Sequence, residues 1–162
     1  YIYVNDGTSS QWVEVHSNSA ALPGTVVQVV DNIVSSATES YTTVADGVEY
    51  QVVSVNITPK FSNSKLFIDA SAQVRIINAY GVNSRIKRDG SFIIGNTGYS
   101  HAFTYKGDAV NHHTDIKAQG SVISGSTATT TFSYWIVPFA GTGEVVNGRY
   151  GMHYIRIMEV AQ

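Results

Sequence analysis

Thirteen residues near the middle of the chain, Lys65 to Ile77, alternate in character. Leu66, Ile68, Ala70, Ala72, Val74 and Ile76 fall on one parity, and Lys65, Asp69, Ser71, Gln73 and Arg75 on the other, with Phe67 the exception. A period of two sustained over about a dozen residues cannot serve an α-helix; it predicts a strand with one buried and one solvated face. The same reading predicts shorter strands over 25–34, 41–44, 48–57, 85–87, 91–94 and within 121–137. Segment 25–34 is also compatible with helical spacing, and its β-branched residues decide for strand. Turn signals lie between them at Ala45-Asp46-Gly47, Arg88-Asp89-Gly90, Gly141-Thr-Gly143 and Asn147-Gly148. Residues 95–117 show no clean periodicity and read as loop-rich. Nine to eleven short strands without a convincing helix predict an all-β, antiparallel sandwich of jelly-roll type.

Asn5-Asp6-Gly7 lies between two aromatic-rich runs and predicts an N-terminal β-hairpin over residues 1–16. Ser17 to Gly24 is small and breaker-rich, and reads as a linker; residues 25–162 are then the sandwich domain. A lone hairpin is marginal in water, so this one is expected to lean on its own domain or on another copy. The sequence starts inside that hairpin without an initiator Met, and the expectation is the C-terminal piece of a longer, oligomeric protein. The last strand, 154–162, is largely apolar on both parities. Either a subunit interface or a long loop over a central strand would cover the second face.

Composition narrows the function classes. Charged residues make up 14% of the chain and the net charge is -2, which does not favour duplex nucleic acid or an anionic membrane as partner. No apolar run approaches the length of a membrane span. Without cysteine, disulfides and thiolate metal sites are excluded. His112, His113 and Asp115 are the one cluster with metal-ligand chemistry, but adjacent strand residues point to opposite faces and no further ligand supports them. No nucleophile elbow or phosphate-binding glycine loop is present, and Asp6, Asp46, Asp89 and Asp108 sit where turns call for them. The expectation is therefore a protein that is not an enzyme and uses no cofactor. Aromatic and polar residues instead gather in apparent loops: Tyr80, Asn83, Tyr99, His101, Tyr105, Asp108, His112, Arg149 and Tyr150. Aromatic faces cover the C–H patches of sugars while amides and carboxylates bond hydroxyls, so these are candidate receptor-binding residues.

Several segments together resemble a known family. Val53-Ser-Val-Asn-Ile-Thr-Pro-Lys-Phe-Ser-Asn-Ser-Lys-Leu-Phe-Ile68 is similar to the "ITPxxxxSKxLI" signature of C-terminal domains in bacteriophage tail fibres, and Tyr3 to Val13 to the hairpin that often precedes them. Val26 to Val30, Arg88 to Gly90 and Ile157 to Val160 also match, whereas 78–83 and 95–115 do not. The resemblance implies a homotrimeric fibre tip in the virion, outside the cell. Its partners would be its own copies and a host-surface glycan or outer-membrane protein. A structural trimerisation cap without receptor contact, or a polysaccharide depolymerase, are the alternatives.

Overall fold

The computed structural model describes residues 2–5, 10–13, 21–35, 38–77, 81–95, 102–105, 112–147 and 152–162. All of its regular elements are strands. The hairpin pairs β1 (Ile2–Asn5) with β2 (Ser10–Val13), Ile2 opposite Val13 and Asn5 opposite Ser10. The following strands are β3 (Val26–Val34), β4 (Ser40–Val44), β5 (Tyr50–Ile57), β6 (Lys65–Ile76) and β7 (Gly81–Arg88). They continue with β8 (Ser91–Ile94), β9 (Ala102–Tyr105), β10 (His112–Ile123), β11 (Thr130–Phe139), β12 (Gly143–Asn147) and β13 (His153–Val160). Every pairing is antiparallel.

Some of these segments are halves of one interrupted strand. On the edge of β6 away from β10, β13 pairs with its first half and β12 with its end; β3 and β4 continue outward beside β13 and β12. In the same way β8 and β9 share one edge of β7. The segments from β3 onward thus fall on eight lines in two sheets. One runs β3/β4, β13/β12, β6, β10; the other runs β5, β11, β7, β8/β9. Numbered along the chain, the orders are 1-8-3-6 and 2-7-4-5, the strand order of a jelly roll.

The long alternating segment sits in the middle of the first sheet, as its pattern requires. Leu66, Ile68, Ala70, Ala72, Val74 and Ile76 are all buried against Phe132, Tyr134, Ile136 and Ile86 of the second sheet. Burying each such aliphatic side chain contributes about 1.5–3 kcal/mol. The Tyr134 hydroxyl crosses the core and donates to the Ile116 carbonyl of the first sheet at 2.8 Å. Between β7 and β8, Asp89 (φ 48°) and Gly90 (φ 82°) make a two-residue turn with both φ angles positive.

Residues 95–117, read as loop-rich, contain β9 and the first six residues of the twelve-residue β10; Gly95 apart, the rest of the segment lies outside the described residues. The inward positions of β10 are Thr114, Ile116, Ala118, Gly120 and Val122, too small and mixed to give a strong hydrophobic period. At the end of the linker the Gly24 amide donates to the Ala161 carbonyl at 2.9 Å, while the Ala161 amide donates to the Thr25 carbonyl at 2.9 Å. Residues 17–20 of that linker lie outside the described residues. Finally, no loop covers the second face of β13 among the described residues. Met152 and Arg156 are exposed, as are Val29 and Ile33 on neighbouring β3.

Candidate functional site

The two ends of the sandwich are built differently. At one end the chain enters at Gly24 and leaves at Ala161, and the connections 58–64 and 124–129 are bound down. Glu159 is the centre of this base. Fully buried at the end of β13, its carboxylate accepts from the Lys60 amide (2.9 Å), the Phe61 amide (3.1 Å), the Ser64 hydroxyl (2.6 Å) and the Gln28 side chain. Burial alone would raise its pKa, but these donors outweigh it and hold the carboxyl below the usual glutamate range. Ser124 and Gly125 donate backbone bonds to Ser64 and Ser62, and the Arg88 guanidinium reaches the carbonyls of Ile123 and Ser124. Arg88 and Gln28 also blunt sheet edges, Arg88 bonding the end of β10 and Gln28 the Thr58 carbonyl just beyond β5, where Asn32 takes the Ser54 carbonyl.

At the opposite end four connections leave the strands: 45–49, 77–80, 106–111 and 140–142. The register brings their anchors into one layer. Ile76 pairs with both His112 and Gly143, Gly143 with Val44, and Gly81 with both Tyr105 and Phe139. Connections 77–80 and 106–111 therefore join the same paired strand ends. Tyr80 and Asp108 belong to these two connections and themselves lie outside the described residues. Tyr105 and His112 are the strand residues that flank the second connection. Asn83 lies two positions into β7, half-buried and opposite Val137. Tyr99 and His101 fall in the interruption between β8 and β9, Arg149 and Tyr150 in that between β12 and β13; all four lie outside the described residues.

The metal expectation gains nothing from the geometry. His113 and Asp115 share the outward face of β10, where His113 meets the Tyr41 ring edge-on at 6.2 Å between centroids. The Arg75 guanidinium lies 3.9 Å over the same Tyr41 ring and pairs with Glu144. Among the described residues no three metal-ligating side chains converge.

Two surface arrangements escape sequence reasoning. On the outward face of the second sheet Glu49 pairs with both Arg85 (2.6 Å) and Lys87, whose ammonium lies 4.2 Å from the Trp135 ring centre and 4.7 Å from that of Phe92. Burial pushes the Glu49 carboxyl up, yet Lys87 and Arg85 together bring it below its usual value. On the outward face of the first sheet lies an open concavity of about 810 Å³ floored by Val29, Phe67 and Met158. Asp31 and Arg156 pair across it at 3.1 Å, and Asp69 accepts from Gln119 (2.8 Å) and the Tyr154 hydroxyl (2.9 Å). The ion-paired and hydrogen-bonded partners are 36 to 125 residues apart in the chain, beyond the reach of any local pattern.

No protein family matches the chain, and no curated protein does. Among solved structures it is similar to the VP2 subviral particle of infectious bursal disease virus, with 14% identity over 94% of this chain and 42% of that chain, at a TM-score of 0.43. T=1 particles derived from the same virus give 13% identity over 94% and 41%, at 0.41, and the Gt strain 12% over 100% and 43%, at 0.40. The chain spans less than half the length of these chains, and the likeness is too coarse to bear on function.

Proposed function

We propose that this chain is the receptor-binding tip of a bacteriophage tail fibre, a homotrimer that presents its open end to a polysaccharide or protein of the host surface. The observation that carries the reading is the polarity of the sandwich. Entry and exit of the domain lie together at the base held by Glu159, and the connections bearing Tyr80 and Asp108 leave from the other end. β6 spans twelve residues between them, about 40 Å at some 3.3 Å per residue. Such a domain, joined at its base to a shaft, holds its variable connections outward on a rigid scaffold.

The distribution of the tail-fibre resemblance supports this reading. The matching segments 26–30, 53–68, 88–90 and 157–160 contain Gln28, Ser64, Arg88 and Glu159, the residues that bind the base together. The segments without a match, 78–83 and 95–115, take in two of the four connections at the open end, those bearing Tyr80 and Asp108. A shared scaffold with divergent recognition loops has this pattern.

The test combines mass and adsorption. Light scattering on the purified chain should give three times 17.5 kDa, and labelled protein should stain host cells. Tyr99→Ala and Tyr105→Ala should weaken staining and leave the mass unchanged. A trimer that does not bind cells would instead support a trimerisation cap, and release of oligosaccharides from host polysaccharide would support a depolymerase.

A further inference from the structure

We infer that the outward face of the β3–β13–β6–β10 sheet is the surface by which copies of this chain pack against one another. The inference rests on the homotrimer proposed above and assigns which face turns inward. Ten large hydrophobic side chains are exposed among the described residues, and five of them, Val29, Ile33, Tyr41, Phe67 and Ile123, lie on this one face. The outward face of the other sheet carries none of the ten, its centre being closed by Glu49, Arg85 and Lys87 over the rings of Trp135 and Phe92.

Three features favour a second copy as the occupant. The first is charge. Asp31, Asp69 and Asp115 are balanced by Lys65, Lys117 and Arg156 on the same face, so identical faces can approach without net repulsion. The second is that four of its charged groups are paired within the face, although Gln73 keeps a buried side-chain oxygen without a partner. Asp31 is paired with Arg156, Asp69 with Gln119 and Tyr154, and Glu144 with Arg75, so covering them strands no charge. A sugar site needs the reverse, carboxylates and amides left open for hydroxyl groups. The third is area. Four strand lines about 4.8 Å apart and about 40 Å long present roughly 750 Å², close to the ~800 Å² that each partner buries in a stable interface. Packing along this face runs the assembly axis parallel to β6 and leaves the open end free.

Phe67→Glu places a charge in the middle of the face at a position already partly exposed, so the monomer should still fold. Light scattering should show the mass fall to one third, with the β-sheet circular dichroism of the wild type. Because the chain has no cysteine, Ser121→Cys on this face should be joined to a second copy by a short bismaleimide, while Gln51→Cys on the other sheet should not. This second readout holds even if Phe67→Glu fails to fold. A Phe67→Glu protein that keeps the full mass, or cross-linking through Gln51→Cys and not Ser121→Cys, overturns the assignment and leaves the trimer reading intact. A wild-type monomer overturns both. Full mass combined with lost cell staining would make the face a ligand site instead.

Discussion

A Cβ added to Gly120 would lie 2.3 Å from Cδ1 of Ile94, which occupies the space that a side chain on β10 would fill. This is where the β8/β9 line of one sheet meets β10 of the other, and the absent side chain lets the sandwich close. Gly120→Ala should therefore destabilise the domain by about 1–3 kcal/mol, the usual cost of overpacking. Ile94→Val removes the clashing methyl, so the double variant should lose less than the sum of the two single changes. Urea unfolding of the four proteins measures the coupling; additivity would mean that Ile94 simply moves aside.

Glu159 holds the base through four donors and is fully buried. Glu159→Gln keeps the shape but turns an N–H₂ toward backbone amides, and should cost about 2–3 kcal/mol. Its pKa is depressed on folding, so its contribution is complete above the unfolded value of 4.5 and is lost as pH falls through the folded value. Thermal melts from pH 6 to pH 3 should show the steep acid loss in the wild type and a shallower slope in the variant.

His153 titrates in a higher window. The residue is 1% exposed with Nε2 3.2 Å from the side-chain amide oxygen Oδ1 of Asn147, and burial lowers its pKa below the ordinary 6.5. The unfolded chain then takes up a proton near pH 6.5 that the folded chain refuses, so stability is full above that pH and declines below it. A melting temperature that falls between pH 7.5 and pH 5.5, with the fall reduced in His153→Gln, is the expected outcome.

Tyr134→Phe keeps the ring and deletes the hydroxyl that bonds the Ile116 carbonyl across the core. Leaving that carbonyl without its partner should cost about 1–1.5 kcal/mol in urea unfolding, with no change in mass or cell binding.

The sequence by itself determined the strands whose side chains sort strongly by parity. β6 is the clearest case, and the Asp89-Gly90 turn follows from residues that tolerate positive φ. Local chemistry decides both, since alternation and turn preference are properties of neighbouring residues. β10 was not legible because Thr114, Ala118 and Gly120 interrupt Ile116 and Val122 on its inward side, Gly120 for a reason supplied by Ile94 of a distant segment. The jelly-roll strand order, the buried Glu159 and the outward clusters around Phe67 and Lys87 were also decided only in three dimensions, because their partners meet through pairing between remote strands. For the candidate receptor residues, the chain could supply residue types. Placing Tyr80 and Asp108 on connections that share one end took the register of Ile76 with His112 and of Gly81 with Tyr105.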